Sequence, residues 1–285
     1  MQKKTLQVTL PFDQLDLMSQ PAAYFDQGQG PTIVLLHGSK GDSTAWLPLM
    51  QQLQSQFRCV AIDLLGFGNS AKPEIRYDIA KEVAFVRAVV EALKIDSFIL
   101  IGHSFGGWVA AAYAIAYPNA VSHLVLSAAA GIRDDQFLER SQYLLPITWD
   151  TPIIDWGIQL ISPLATAFGQ QATISEIMWL RQQLRTEPAI RSLILDRLRP
   201  EDAVDTVEQH IHQISIPTLV LAGENDTTIP RWHSETYARE IPNAHLLVIK
   251  GANHALPTLY TQEVAQAVLD FLSASSVTLD SGSVA

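Results

Sequence analysis

The chain has 285 residues, of which 48% are hydrophobic and 17% are charged, and these proportions exclude a disordered or fibrous protein. Lys and Arg number 19 against 29 Asp and Glu, so the net charge is −10, and without a basic run a nucleic-acid binder is not expected. The single cysteine, Cys59, excludes an intrachain disulfide framework and a zinc site built from cysteines.

The first residues are basic, but no apolar segment follows them, because polar residues interrupt residues 7–16. A secretory signal needs an apolar segment of about 7–15 residues. The apolar runs elsewhere are shorter than the ~20 residues that span a bilayer. We therefore expect a cytoplasmic protein.

Short apolar runs rich in β-branched residues recur between turn residues. Runs this continuous are typical of parallel strands that are buried on both faces. Two runs near the start, residues 5–10 and 22–26, alternate more and predict an antiparallel edge. The buried strands are predicted at residues 32–37, 57–63, 97–102, 122–127, 216–222 and 244–249.

Helical patterns lie between these strands. Over residues 79–94, apolar residues recur at steps of three and four, which places them on one helix face. Residues 104–117 are rich in alanine and stop before a proline, and residues 261–272 repeat the amphipathic pattern. Strands that alternate with helices predict a three-layer α/β domain.

Residues 131–212 interrupt this alternation. They contain helical patterns and turns but no convincing buried strand. We interpret them as a helical insertion between two strands of a core that comprises residues 1–130 and 213–272. Residues 273–285 are small and polar and are predicted to form a flexible tail.

The strongest local motif is Gly102-His103-Ser104-Phe105-Gly106, a G-x-S-x-G pattern directly after a predicted strand and before a predicted helix. A serine on such a sharp turn adopts an unfavourable backbone conformation, and its neighbours two residues away need to lack a Cβ. The amino terminus of the helix also directs N–H groups at the place where an oxyanion forms. Ser104 is the predicted nucleophile.

A serine hydroxyl needs a base to remove its proton, and the base needs an acid that fixes its tautomer. His254 is the predicted base, because it lies in a loop after a strand, as Ser104 does. Asp226 is the predicted acid, and Glu224 in the same loop is the alternative. The order Ser, Asp, His, each on a loop after its own strand, matches the arrangement of α/β hydrolases.

The other histidines are assigned roles outside the chemistry. His37 is predicted to hold its loop by hydrogen bonds, and His123 and His245 are predicted to be structural. Three more are predicted on solvated helices or turns: His210, His212 and His233.

An oxyanion hole needs two backbone donors. The N–H of Phe105, the residue after the nucleophile, is the first. The second is assigned to the N–H of Ser39, in the glycine turn where Gly38 keeps the backbone close. Losing one such donor typically costs about 3 kcal/mol of transition-state stabilisation.

Taken in chain order, these motifs resemble the cap-bearing branch of the α/β-hydrolase superfamily. The resemblance implies the α/β-hydrolase fold, in which a mostly parallel eight-stranded sheet is flanked by helices and residues 131–212 form a helical cap. It spans about residues 30–272. It rests on His37-Gly38, Asp63 to Ser70, Gly102 to Gly107, Gly223 to Asp226 and the loop from Gly251 to His254.

The resemblance also implies a reaction. Ser104 attacks a carbonyl carbon, His254 takes the proton and Asp226 stabilises the imidazolium, while water later releases the acyl group. Neither a metal nor an organic cofactor is implied. Serine at position 104 argues against haloalkane dehalogenases and epoxide hydrolases, which carry aspartate there. Ala255 stands where C–C bond hydrolases often have tryptophan, which weakens that interpretation without excluding it.

The aromatic residues of the cap are the only guide to the substrate. Trp149, Trp156 and Trp179 are the predicted substrate contacts, and we expect an apolar ester of small or medium size. A transient contact of the cap with a membrane surface is also expected. Arg181 and Arg185 either meet an anionic end of the substrate or form a solvated helix face.

Three functions stay open on the sequence. The leading one is a serine hydrolase of carboxylic esters. The second is a C–C bond hydrolase or lyase with the same three residues, because the triad does not settle the type of reaction. The third is a non-catalytic small-molecule binding protein of the same fold.

Overall fold

The computed structural model describes residues 1–12, 19–136, 151–195 and 205–280, which form an eight-stranded mixed sheet with helices. The strands are β1 Lys4–Thr9, β2 Ser19–Gln27, β3 Thr32–Leu36, β4 Arg58–Ile62, β5 Phe98–His103, β6 Val121–Ser127, β7 Thr218–Gly223 and β8 Ala244–Ile249. The α-helices are α1 Leu47–Leu53, α2 Ile79–Ala92, α3 Phe105–Ala116, α4 Pro152–Ala167, α5 Gln171–Thr186, α6 Pro188–Leu195, α7 Arg231–Glu240, α8 Leu256–Leu259 and α9 Thr261–Asp280.

The strand order is β1-β2-β4-β3-β5-β6-β7-β8. β2 pairs in antiparallel fashion with β1 and with β4, whereas every neighbouring pair from β4 to β8 is parallel. The predicted antiparallel pair and parallel core are therefore confirmed. Because the parallel strands end at one edge of the sheet, the loops that follow them meet there.

Side chains of the central strands alternate between two buried faces. Ile99 and Ile101 of β5 belong to one apolar cluster with residues of α1 and α9. Leu100 between them is also fully buried, on the opposite face, where α3 packs against β5 and β6. Burial on both faces explains why these strands are continuous apolar runs in the sequence.

The last strand departs from this pattern. We predicted a strand buried on both faces at residues 244–249, but β8 forms an edge of the sheet. Leu246 and Leu247 are 37% and 44% exposed. An edge strand pairs with a neighbouring strand on one side only, so its side chains can be exposed although its sequence is apolar.

The C-terminal helix is longer than predicted. α9 continues past Leu272 to Asp280, so the predicted tail from residue 273 is helical as far as the structure describes it. Neither glycine nor proline occurs between Thr261 and Asp280, so no residue there stops the helix. The rest of the predicted tail, residues 281–285, lies outside the described residues.

The chain divides into two compact units. The sheet unit comprises residues 1–71, 78–132 and 205–285, and the helical insertion comprises residues 72–77 and 133–204. The segment 205–212, which we predicted within the insertion, belongs to the sheet unit. The backbone of this segment is hydrogen-bonded to the sheet unit, since the indole N–H of Trp108 donates to the carbonyl of Asp205 at 3.1 Å.

Within the insertion, α4 and α5 are joined by ion pairs. Arg181 is 3% exposed and donates from Nε and Nη2 to the two carboxylate oxygens of Asp155, at 2.7 and 3.2 Å. Arg185 donates from Nη2 to Oδ2 of the same carboxylate at 2.6 Å. Arg181 therefore does not belong to a solvated helix face, and both guanidinium groups bind Asp155.

Because of these ion pairs, the free energy of unfolding is expected to depend on pH in the acid range. Hydrogen bonds from Arg181 and Arg185 lower the pKa of Asp155 to about 2, from an ordinary value of 3.8. Because the folded pKa lies below the unfolded one, the ion pairs stabilise the fold above about pH 4, and this contribution is lost as the pH falls through about 2. In urea unfolding, Asp155→Asn should be less stable than wild type at neutral pH, and the difference should narrow in acid. If the difference in stability between wild type and Asp155→Asn stays constant down to the lowest pH at which both fold, these ion pairs do not stabilise the fold.

Large apolar side chains form an exposed row along α4 and the residue that follows it. They are Ile153, Trp156, Leu160, Ile161, Leu164 and Phe168. Contact of these side chains with a membrane surface stays a prediction. None of the helices in the described ranges is long and apolar enough to cross a membrane.

Candidate active site

Ser104 occupies the sharp turn between β5 and α3. Its φ of 54° and ψ of −117° are a conformation that residues with a Cβ rarely adopt. A Cβ on Gly102 would lie 2.2 Å from the carbonyl oxygen of Gly106, and one on Gly106 would lie 2.3 Å from that of Leu36. The turn therefore depends on both glycines of the motif.

Gly106→Ala is expected to lower the free energy of unfolding by about 3 kcal/mol, the upper end of the usual cost of an added methyl group, because the new Cβ meets fixed backbone. Gly41→Ala is the matched control, since a Cβ there has nothing within 4 Å. Urea unfolding of both variants measures the difference. Equal stability of the two variants would show that the turn relaxes more easily than this geometry implies.

Three side chains from three loops form one hydrogen-bonded chain. His254 donates from Nδ1 to Oδ2 of Asp226 at 2.8 Å, and its Nε2 lies 3.0 Å from the hydroxyl oxygen of Ser104. A carboxylate can only accept, so Nδ1 carries the proton and Nε2 accepts from the hydroxyl. The loops after β5, β7 and β8 thus bring together the nucleophile, acid and base that the sequence predicts.

The Asp226 carboxylate is fixed on both oxygens. Its Oδ1 accepts the backbone N–H groups of Thr228 and Ile229, at 2.8 and 3.0 Å. Burial raises the pKa of Asp226, but the interactions with His254 and with the two N–H groups outweigh this effect and hold the pKa below its usual value. Asp226 therefore stays ionised at neutral pH.

Glu224, the alternative acid, binds elsewhere. Its Oε2 accepts the backbone N–H of Gly251 at 2.7 Å. It therefore holds the loop that carries His254, while Asp226 contacts the imidazole itself.

The loop after β3 passes beside Ser104. A Cβ on Gly38 would lie 3.2 Å from the Cβ of Ser104. The N–H of Gly41 donates to the carbonyl of Gly38 at 3.2 Å, which places Ser39 second in a turn. Phe105 is the first residue of α3, so its N–H has no acceptor within the helix. The role of Ser39 and Phe105 as oxyanion donors stays a prediction.

His37 holds this loop through both ring nitrogens, which confirms its predicted role. Nδ1 donates to the carbonyl of Gly38 at 2.8 Å, and Nε2 accepts the N–H of Leu64 at 3.0 Å. Burial lowers the pKa of His37, so the ring stays neutral. The loops after β3 and β4 are tied together in this way.

One histidine prediction is wrong. His233 is 4% exposed on α7, with its ring centroid 4.0 Å from that of Trp232. The helix packs against β7 and β8, and the sequence gives no sign of which turn of this polar helix faces inward. His210 and His212 are exposed, as predicted.

The structure describes two of the three predicted substrate contacts. Trp156 is 68% exposed on α4, and Trp179 is partly buried on α5. Trp149 lies outside the described residues. Their contact with a substrate stays a prediction.

His103 is a neighbour of this site that the sequence reasoning missed. Its ring centroid lies 4.8 Å from that of His254. The signal was its position directly before the nucleophile, at the carboxyl end of a central strand.

Residues 33–267 match the profile of the alpha/beta hydrolase family. The chain belongs to this family. Its eight-stranded, mostly parallel sheet with flanking helices and a helical insertion confirms the predicted fold, and the protein is an α/β-fold serine hydrolase.

Two relatives of this hydrolase come from Pseudomonas. The 2-hydroxy-6-oxo-2,4-heptadienoate hydrolase of Pseudomonas putida is 30% identical over 264 residues, 87% of this chain and 91% of that protein. The 2-hydroxymuconate semialdehyde hydrolase of Pseudomonas sp. strain CF600 is 31% identical over 265 residues, covering 87% and 89%. A thermophilic esterase from Thermogutta terrifontis has a similar fold, with a TM-score of 0.72 and 24% identity over 95% of this chain and 98% of that one.

Proposed function

We propose that this hydrolase cleaves a carboxylic ester of a small or medium apolar substrate through an acyl-enzyme. The observation that supports it most is the hydrogen-bonded chain from Ser104 through His254 to Asp226, which begins on a strained turn. Such a chain converts a weak hydroxyl nucleophile into a reactive one.

In the first half of the reaction, Ser104 Oγ attacks the ester carbonyl while its proton moves to Nε2 of His254. The ionised Asp226 stabilises the imidazolium, and the N–H groups of Phe105 and Ser39 bind the oxyanion. The carbon–oxygen bond of the ester then breaks. The alcohol leaves with the proton from Nε2, and the acyl group stays on Ser104.

In the second half, a water molecule attacks the acyl carbon and gives a proton to Nε2 of His254. The second tetrahedral intermediate is held by the same two N–H groups. Its collapse returns the proton to Ser104 Oγ and releases the carboxylic acid. The side chains are then in their starting state.

The substrate is proposed to be uncharged at its acyl and alcohol groups. Arg181 and Arg185, the cations that could meet an anionic substrate, both bind Asp155. With these charges paired inside the insertion, an apolar ester is favoured over a carboxylate-bearing substrate.

Hydrolysis of a carbon–carbon bond is the second candidate, and the two Pseudomonas relatives favour it. Their names specify 2-hydroxy-6-oxo-2,4-heptadienoate and 2-hydroxymuconate semialdehyde. Neither compound contains an ester, so its hydrolysis breaks a carbon–carbon bond. The same three side chains serve such a reaction, since a triad does not by itself fix the bond that is cleaved.

Labelling with a fluorophosphonate, read by intact mass, tests the proposed nucleophile. A single adduct is expected on the wild type and none on Ser104→Ala or His254→Ala. A series of p-nitrophenyl esters and a ring-cleavage dienoate then compare the two reactions, and the esters should react faster. Folded wild type that takes no label would favour a non-catalytic binding protein, and faster consumption of the dienoate would favour the carbon–carbon hydrolase.

A further inference from the structure

His103, the last residue of β5, lies beside the ring of His254. The two ring centroids are 4.8 Å apart and the ring planes are inclined by 43°. The two nitrogens of the His254 ring make the hydrogen bonds to Asp226 and Ser104. His103 therefore adds a ring contact to these two hydrogen bonds.

One carbonyl oxygen holds both His103 and the nucleophile. The carbonyl of Ser127 accepts the Nδ1–H of His103 at 3.1 Å and the backbone N–H of Ser104 at 2.9 Å. Because a carbonyl can only accept, Nδ1 carries the proton of the His103 ring. The neighbouring strand β6 thus sets the orientation of this ring.

The same ring reaches the loop after β3. A Cβ on Gly38 would lie 3.3 Å from Cδ2 of His103, so the loop and the ring are in close contact. The His103 ring thus lies between this loop and the His254 ring.

The His103 ring is also uncharged, as a neighbour of the base needs to be. Burial, and to a lesser extent the neighbouring His254, lower the pKa of His103 to about 3. The ring therefore stays neutral over the pH range in which a histidine base works. A second cation here would oppose the imidazolium that forms on His254.

We infer that His103 is a positioning residue, whose ring keeps the His254 imidazole aligned with Ser104 and Asp226. His254 lies in a loop and is 21% exposed. The hydrogen bond between His254 and Ser104 is lost in each turnover once the proton has moved. The neighbouring ring of His103 then limits the rotation of the His254 imidazole. This inference rests on the proposed function, because alignment matters only when His254 transfers protons.

Three variants separate the ring from its hydrogen bond. His103→Phe keeps a ring without the donor, His103→Asn keeps a donor without the ring, and His103→Ala removes both. At equal folded fraction by circular dichroism, kcat of His103→Ala should fall about 10- to 100-fold with little change in KM, and His103→Phe should recover most of it. His103→Asn should not. His123→Ala is the matched control on β6, where its ring lies 5.7 Å from Phe271, and it should keep wild-type kcat.

Two further readouts distinguish positioning from a merely structural role. The pH dependence of kcat/KM should show a single acid ionisation in both wild type and His103→Phe, because His103 does not titrate there. The downfield proton resonance of His254 Nδ1–H should be present in both and lost in His103→Ala. This resonance needs no substrate, so it tests the inference even where no ester is turned over.

The outcomes are separable. Wild type that shows the resonance but cleaves no ester rejects the proposed function and leaves the alignment of His254 intact. Wild-type kcat and resonance in His103→Ala overturn the inference. Equal recovery of activity in His103→Asn and His103→Phe also overturns the inference. So does a second ionisation in the kcat/KM profile of wild type that is absent from His103→Phe.

Discussion

Asp226→Asn is expected to lower kcat for ester hydrolysis by about 10⁴-fold with little loss of stability. Asn at this position can donate from its amide to Nδ1 of His254. The imidazole then carries its proton on Nε2 and cannot accept the proton of Ser104. Steady-state kinetics on a p-nitrophenyl ester measure the effect, and chemical denaturation verifies that the variant is folded.

Glu224→Gln is the control for this prediction. Gln keeps an oxygen that accepts the N–H of Gly251, as Glu224 does at 2.7 Å. Its kcat should therefore stay within about tenfold of wild type, an effect of at most about 1.4 kcal/mol. A large loss in Glu224→Gln together with an active Asp226→Asn would make Glu224 the acid and disprove the assignment.

Lys3→Met is expected to lower the free energy of unfolding by about 2–3 kcal/mol, because it leaves a buried carboxylate without its cation. Asp63 is fully buried, and Lys3 donates to its Oδ2 at 2.9 Å while being 19% exposed. Backbone N–H groups of Ser43 and Asn69 also donate to this carboxylate, at 2.9 and 2.8 Å. The loops after β3 and β4 are therefore organised around one buried charge.

Lys4→Met is the matched control, one residue away. Lys4 is 51% exposed and lies 3.5 Å from Asp26, so its loss should change stability by less than about 1 kcal/mol. Urea unfolding compares the two variants. Adding Asp63→Asn to Lys3→Met should restore part of the loss, since the uncompensated charge is then gone, and a further loss instead would show that the charge is not the cause.

The pH dependence of the Lys3 contribution has a definite sign. Burial lowers the pKa of Lys3, but its hydrogen bonds to Asp63 and Asp42 raise it more, so the net pKa is above its usual value. The pair therefore stabilises the fold below the ordinary pKa of 10.5 and loses this effect only as the pH rises through the folded pKa. The difference between Lys3→Met and wild type should be constant across neutral pH.

The turn at Ser104 was predictable because its constraints are local. A serine with a positive φ on this sharp turn needs small residues two positions away, and Gly102 and Gly106 meet this need within five consecutive residues. The role of His37 followed from its place at the end of a strand. The burial of His233 did not, because α7 is polar on most of its surface and the choice of inward face depends on β7 and β8.

By itself, the sequence determined the order of strands and helices, the strained turn at Ser104 and the order in which Ser104, Asp226 and His254 follow their strands. Periodicity and glycine placement carry this information, since they act between residues close in the chain. Only the tertiary structure decided that Asp226 rather than Glu224 contacts His254, that Arg181 and Arg185 bind Asp155, and that β8 is an edge strand. The first two features are distances between side chains far apart in the chain, and the third is the position of a strand in the sheet. No local pattern encodes either of them.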